Sequence, residues 1–286
     1  MKQLVTVERF CLIGHILSMV FGLAGLVLVL PNPEFIANLP PFGQTLFGWS
    51  MAGGGVVYIL LGTATVAIYA YRTLGLRNLL AFMLPAVFLS LGSELLGTST
   101  GLLFGHYGYL SGLGYKIAGL VPFTIPLSWF YVGMSTYVLA RSGLEVKLVN
   151  GWVKEVGAVA LGALLLTAWD FVLDPAMSQT DYPFWEFRDV GQFFGMPYRN
   201  LTGWLATGVL FMSVAALFWR NPSTQLTRSK LSVPLAIYLA NFTFGAVLTV
   251  TQLDIRFWIP TVFSVLLGVI PTVALWWATK PVVTAD

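Results

Sequence analysis

The chain has 286 residues, of which 57% are hydrophobic and only 9% are charged. Soluble domains carry about 25% charged residues, so this composition and a mean hydropathy of +0.80 exclude an ordinary soluble protein and indicate an integral membrane protein. The net charge of +3 comes from scattered basic residues, which excludes the basic stripe of a nucleic-acid-binding protein. A single cysteine, Cys11, excludes an internal disulfide and a cysteine-based metal cluster.

Eight apolar stretches are long enough to cross a bilayer as helices, which takes about 20 residues each. We predict them at about residues 10–30, 49–71, 78–96, 119–140, 153–173, 202–219, 231–251 and 257–278. The first is too long for a signal peptide, and no small-residue cleavage site follows it. The expected fold is therefore all-α, a polytopic bundle of about eight transmembrane helices that forms one domain, residues 1–286.

Basic residues favour one side of this predicted bundle. The loops on that side hold eleven of the fifteen lysines and arginines, with Lys147 and Lys280 among them. The positive-inside rule then predicts that both termini are cytoplasmic. Two long loops, about residues 97–118 and 174–201, fall on the opposite side, and loops of this length are usually functional.

Three carboxyl residues lie within or at the ends of the predicted spans. Glu94 is near the outer end of the third span, Asp170 is in the last turn of the fifth, and Asp174 follows one helical turn later. Ionisable residues inside a span are costly and are functional candidates by default. The simpler alternatives are that Asp174, before Pro175, only ends a helix, and that Glu94 and Asp170 only bond neighbouring helices.

A group of buried carboxyls can supply one protonated acid and one ionised base at neutral pH, so we predict an acid–base site that faces an apolar substrate. Other chemistries lack their motifs. The sequence contains no dinucleotide-binding glycine motif after a strand and no phosphate loop, and two histidines are too few for a histidine-rich metal site. Asp170 and Asp174 form a sparse DxxxD, but only Arg188 and Arg199 are nearby cations for a diphosphate.

Three motifs, within residues 94–204, carry a resemblance to a known family. They read ELLGTSTGLLFGHYGY from Glu94, VPFTIPLSW from Val121, and AWDFVLDP from Ala168, the last followed by FWEF and by GMPYRNLTGW from Gly195. In this order they resemble the membrane carotenoid 1',2'-hydratases, which belong with the bisanhydrobacterioruberin hydratases. FWEF departs mildly from the family pattern, where a run richer in tryptophan is expected.

The resemblance implies that water adds across the terminal 1',2' double bond of an acyclic carotenoid end group, of the γ-carotene or lycopene type. Asp170 is then favoured as the acid, because it is deepest, and Glu94 as the base, with Asp174 as the third catalytic candidate. Side chains that could bind the substrate or position water are Tyr107, Tyr109, Trp129, Trp185, Arg199 and Asn200. No metal and no redox cofactor is required.

The implied partners are a carotenoid, membrane lipid and other enzymes of carotenoid biosynthesis, in a bacterial plasma or internal membrane; no nucleic acid is expected. His106 is interpreted as structural or orienting rather than as a metal ligand. The alternative function is a small-solute transporter with an acidic outer vestibule, and a non-catalytic scaffold is a third. Against the transporter, the two halves show no internal repeat, and the acids gather at one end instead of midway.

Overall fold

The computed structural model describes residues 2–146, 151–220 and 226–279, so Lys147 and Lys280 of the charge count lie outside the described residues. The described chain is a bundle of helices with two very short sheets. The helices are α1 (Lys2–Ala24), α2 (Pro33–Ala37), α3 (Pro41–Leu74), α4 (Leu76–Thr100), α5 (Thr124–Glu145), α6 (Gly151–Ser178), α7 (Tyr198–Phe218), α8 (Ser232–Gln252), α9 (Trp258–Ser264) and α10 (Ile270–Ala278). The strands are β1 (Tyr107–Tyr109), β2 (Lys116–Ile117), β3 (Val121–Pro122) and β4 (Trp185–Phe187).

Seven helical segments of the described chain are long and apolar enough to cross a membrane, which confirms the all-α polytopic fold. The predicted span at 119–140 is not among these seven. Its helix, α5, begins at Thr124 and is buried along nearly its whole length by α3, α4, α6, α8 and α10. A helix that contacts other helices instead of lipid can carry small and polar side chains, so it forms the centre of the bundle without being strongly apolar.

Two of the spans contain π-helical turns. Helix α1 continues through a π-helical segment at Gly25–Val29, and α9 is joined to α10 by another at Val265–Val269. Helix α6 runs through Pro175 to Ser178, so the predicted end of this span at residue 173 is several residues too early. Asp174 is consequently a buried residue within the helix, not one that ends it.

One end of the bundle is covered by the two long loops. Strands β1 and β4 pair in antiparallel register, with Gly108 opposite Glu186. Helix α4 reaches these loops after a left-handed residue, Gly101 (φ 73°), whose N–H bonds the carbonyl of Gly97 at 2.8 Å. A left-handed glycine is a common helix ending. The pairing shows that the two loops lie on the same side of the bundle, as the span count predicts.

Ion pairs gather at the other end of the bundle. Arg72, at the end of α3, donates two hydrogen bonds to the buried carboxylate of Glu8 at 2.9 and 3.1 Å. Arg141 bonds Glu155 where α5 and α6 are joined. Two of the basic residues that set the predicted orientation, Arg72 and Arg141, therefore pair with carboxylates at this end, away from the two long loops.

We expect the end that carries the ion pairs to be cytoplasmic. In a Cys11→Ala background, a cysteine at the exposed Gln192 is expected to react with a membrane-impermeant thiol reagent in intact cells. A cysteine at the exposed Ser229 is expected to react only after lysis. Labelling of Ser229→Cys but not Gln192→Cys in intact cells would reverse the orientation.

Candidate active site

The three candidate carboxyls converge beneath the paired loops. Glu94 lies in the last two turns of α4, and Asp170 and Asp174 lie in the last turns of α6. All three side chains are buried, with residue exposures of 4%, 0% and 2% respectively. The second turn of α5 brings Trp129 to the same place, and the first turn of α7 brings Asn200. Four helices thus deliver polar groups to one small region.

Glu94 accepts hydrogen bonds from three side chains. The indole N–H of Trp129 donates to its Oε1 at 2.9 Å, and the hydroxyl of Tyr109 donates to its Oε2 at 2.9 Å. The hydroxyl of Tyr107 also donates to Oε2. An indole can only donate, and an ionised carboxylate can only accept, so this set of partners fits the ionised form of Glu94.

The two tyrosines belong to β1, outside the spans. Burial raises the pKa of both the Tyr107 and the Tyr109 phenol well above the usual value, and the neighbouring Glu94 raises both further. Their hydroxyls therefore stay protonated throughout the physiological pH range and remain donors to Glu94. Both tyrosines lie in β1, so the pairing of β1 with β4 also holds their hydroxyls in position beside Glu94.

Asp170 and Asp174 are joined by one amide. The Nδ2 group of Asn200 donates to Oδ2 of Asp170 at 3.0 Å and also to Oδ2 of Asp174. The other oxygen of Asp174 accepts from the indole N–H of Trp185 at 3.1 Å. Oδ1 of Asp170 is buried with no hydrogen-bond partner among the described residues. If both aspartates were ionised, two negative charges would lie close together in a buried site. Retention of one proton by the pair avoids this.

Glu94 and Asp174 both border a small cavity. Its volume is about 40 Å³, and both carboxyl residues line it together with Asn200. A water molecule needs about 10–15 Å³ of such volume, so the cavity has room for a few waters. The rest of its wall is mostly aromatic, formed by Phe104, Tyr107, Tyr109, Trp129, Trp185, Phe187 and Trp204. Two carboxyls that line one aromatic cavity with room for water can give and take protons at an apolar reactant.

The aromatic rings are packed against one another. Trp129 and Trp204 stack with ring centroids 4.2 Å apart and planes 26° apart. Trp185 meets Tyr109 edge to face at 5.9 Å. These contacts restrict the rings that also hydrogen-bond the carboxyls, so the donors are held in place before a substrate binds.

Not every predicted site residue reaches the cavity. Asp170 lies behind Asp174 and does not line it, although Asn200 connects the two. Arg199 is exposed and is not part of the wall. His106 is exposed and pairs with Asp189 at 3.1 Å, which ties the two loops together. The backbone N–H of His106 also bonds Asp189 and lowers the pKa of that carboxyl.

Sequence reasoning missed three rings of the wall: Phe104, Phe187 and Trp204. Each lies inside a motif string that was recognised as a whole but not residue by residue. For Trp204 a signal existed, because it follows Asn200 by four residues in a helix and therefore shares its face. For Phe187 the signal was its alternation with Trp185 along a strand.

Three ion pairs of the described residues lie at the end of the bundle away from the three carboxyls. They join Arg72 to Glu8, Arg141 to Glu155 and Lys154 to Glu145. Within the described ranges, no group of three or more histidine, cysteine, aspartate or glutamate side chains is arranged to hold a metal ion.

The fold and this site define a multi-pass membrane protein with a buried carboxyl cavity, and comparison with known proteins assigns its family. The profile of the family described as carotenoid biosynthesis protein matches residues 54–271, and the chain belongs to that family. This confirms the resemblance seen in the motifs. No solved structure matches the chain significantly.

The relative found is bisanhydrobacterioruberin hydratase from Haloarcula japonica. It is 30% identical over 217 residues, which cover 76% of this chain and 66% of the relative. The chain thus spans slightly less than two thirds of that protein's length. The motif region, residues 94–204, lies wholly inside the family match.

Proposed function

We propose that the protein is a carotenoid hydratase, which adds water across the terminal 1',2' double bond of an acyclic end group and forms a tertiary alcohol. The observation that carries the proposal is the aromatic cavity that Glu94 and Asp174 line together. Membership of the carotenoid biosynthesis family and the similarity to a hydratase support it. The substrates proposed are γ-carotene or lycopene-type carotenoids, whose ends match an apolar cavity.

The first step is transfer of a proton to the less substituted carbon of the double bond. We assign it to the aspartate pair, with Asp174 as the group that transfers the proton, because Asp174 lines the cavity. Asp170, favoured from the sequence because of its depth, is assigned the role of positioning Asp174 through Asn200. The electron pair of the double bond forms the new C–H bond, and a tertiary cation remains at the other carbon.

The aromatic wall can stabilise that cation. A positive charge over the face of an aromatic ring gains about 0.5–2 kcal/mol, with the larger gain in a site without bulk water. Tyr107, Tyr109, Trp129 and Trp185 all line the cavity. Part of the barrier is therefore lowered by rings that already surround the reacting carbon.

Addition of water to the cation then completes the reaction. A water molecule in the cavity attacks the cation, and Glu94 accepts the proton that this water loses. The products are the tertiary alcohol, a protonated Glu94 and an ionised aspartate pair. Return of one proton from Glu94 to the pair, through water, restores the starting state. The sum is one alkene and one water converted to one alcohol, without any oxidation or reduction.

The origin of the oxygen atom in the product hydroxyl tests this function. Turnover of lycopene in ¹⁸O-labelled water is expected to place the label in the product hydroxyl, while ¹⁸O₂ gas leaves the product unlabelled. Mass spectrometry of the extracted pigment measures both. The reaction is also expected to continue after dialysis against a chelator and without nucleotide. Oxygen derived from O₂ would replace the hydratase by a hydroxylase, and activity restored by iron or zinc would indicate a metal site.

We further propose that the protein acts in a bacterial plasma or internal membrane, beside other enzymes of carotenoid biosynthesis. The seven apolar helices support a membrane location. Because substrate and product are both largely hydrocarbon, they pass between such enzymes within the lipid phase.

A further inference from the structure

A second, much larger cavity lies between α1 and α3. Its volume is about 600 Å³, within the roughly 300–1,000 Å³ typical of small-molecule sites. The described residues that line it include no charged side chain, and its polar groups are few, mainly Ser18, Ser50 and Tyr58. The proton transfers proposed above take place in the small cavity lined by Glu94 and Asp174, and they involve none of the residues that line this larger one.

The cavity is elongated along the membrane-spanning helices. On α3 its lining runs from Leu46 to Tyr58, which is roughly 18 Å at about 1.5 Å rise per residue. On α1 and its π-helical turn it runs from Leu17 to Val29. A long, narrow space with an apolar wall fits an extended hydrocarbon chain.

The two cavities meet at two consecutive residues. Phe184 lines the large cavity, and the next residue, Trp185, lines the small one and donates to Asp174. Because Phe184 and Trp185 are consecutive, the chain at this point, just before and at the start of β4, forms a thin wall shared by the two cavities. The carbonyl of Phe184 accepts a hydrogen bond from the N–H of Leu110 at 2.8 Å, which anchors this wall to the loop after β1.

The small cavity cannot hold a long substrate. At about 40 Å³ it has room for water and part of an end group. The remainder of an acyclic carotenoid must therefore lie elsewhere, and a hydrocarbon chain is most stable away from water. Exposed apolar side chains such as Leu17, Phe21 and Val57 border the large cavity, so it is reached from the lipid phase.

We propose that the cavity between α1 and α3 binds the polyene chain of the acyclic carotenoid, with the reacting end directed toward the Phe184–Trp185 segment. This inference rests on the proposed function for the identity of its ligand. Most of the lining comes from residues before 54, ahead of the region that matches the family profile. The site is thus a feature of this chain that the family match does not assign.

Two glycines of α3 provide a matched test. A Cβ atom added at Gly53 or at Gly48 would meet no atom within 4 Å, so the backbone surroundings of both positions leave room for a side chain to begin. Gly53 lines the cavity, whereas Gly48, five residues earlier, is exposed and does not. Gly53→Phe therefore adds an aromatic ring at the cavity wall, and Gly48→Phe adds the same side chain at a position that does not line the cavity.

Binding of lycopene in nanodiscs, measured by bound pigment absorbance and by quenching of tryptophan fluorescence, is the readout. A Glu94→Gln background slows turnover enough for binding to be measured. Gly53→Phe is expected to raise the half-saturating lycopene concentration at least about tenfold, because the added ring occupies part of the space that the chain would take. Gly53→Leu is expected to have a smaller effect, and Gly53→Ala and Gly48→Phe none. A thermal unfolding midpoint of Gly53→Phe equal to that of Gly48→Phe shows that the fold of Gly53→Phe is intact.

The outcomes separate this inference from the hydratase function. Binding by Gly53→Phe and Gly53→Leu equal to that of the parent would overturn the polyene site, even if the protein hydrates carotenoids. A phospholipid that stays bound and is not displaced by lycopene would also overturn it, in favour of a lipid site. Suppose instead that Gly53→Phe weakens lycopene binding as expected but the wild type hydrates no carotenoid. This result would contradict the hydratase function and support the polyene site.

Discussion

Glu94→Gln is expected to reduce the rate of hydration by about 10²–10⁴-fold, the usual contribution of a general acid or base. The amide keeps the shape of the side chain but cannot take up the proton of the attacking water. It also replaces an acceptor with a donor beside the hydroxyls of Tyr107 and Tyr109, which donate to Oε2. The measurement is conversion of lycopene to its hydroxylated product by membranes that contain equal amounts of each variant.

Glu186→Gln is the matched control. Glu186 lies in β4 between Trp185 and Phe187, but it is exposed and does not line the carboxyl cavity. Removal of its charge is expected to leave the rate unchanged, as is Glu34→Gln, also at an exposed position. A Glu94→Gln protein that inserts normally and turns over at the wild-type rate would eliminate Glu94 as the base.

Asp174→Asn is expected to cause a loss of the same order, about 10²–10⁴-fold, because it removes the carboxyl that lines the cavity. Asp170→Asn is expected to lower the rate less. Asp170 acts through the amide of Asn200, and its replacement leaves the transferring carboxyl present. The pH–rate profile of Asp170→Asn is expected to shift, since the acid loses the neighbour with which it shares a proton.

Asp181→Asn serves as the control for this pair, because Asp181 is exposed just beyond the end of α6. A near-normal rate in Asp174→Asn combined with loss of activity in Asp170→Asn would return the role of acid to Asp170. An unshifted pH–rate profile in Asp170→Asn would indicate that this residue only supports the packing of α6.

Local chemistry in the sequence determined the class of protein and most of its helices. Runs of apolar residues show the spans wherever a helix faces lipid, because lipid-facing side chains must be apolar. The predicted fourth span starts too early because apolar residues before α5 form β3 instead of a helical turn. Helix α5 itself is enclosed by other helices, so its side chains obey packing instead of hydropathy. Carboxyls in an apolar run are equally visible, so Glu94, Asp170 and Asp174 were all found.

Only the tertiary structure decided how these residues are used. Trp129 reaches Glu94 across 35 positions in the chain, and Asn200 reaches Asp170 across 30. Such contacts depend on which helices pack together, and hydropathy does not specify helix neighbours. Depth along one helix favoured Asp170 as the acid, but the direction of each side chain relative to α7 and to β4 places Asp174 on the cavity wall and Asp170 behind it. Sequence alone thus supplied the chemical groups, and helix packing decided which of them meet the cavity.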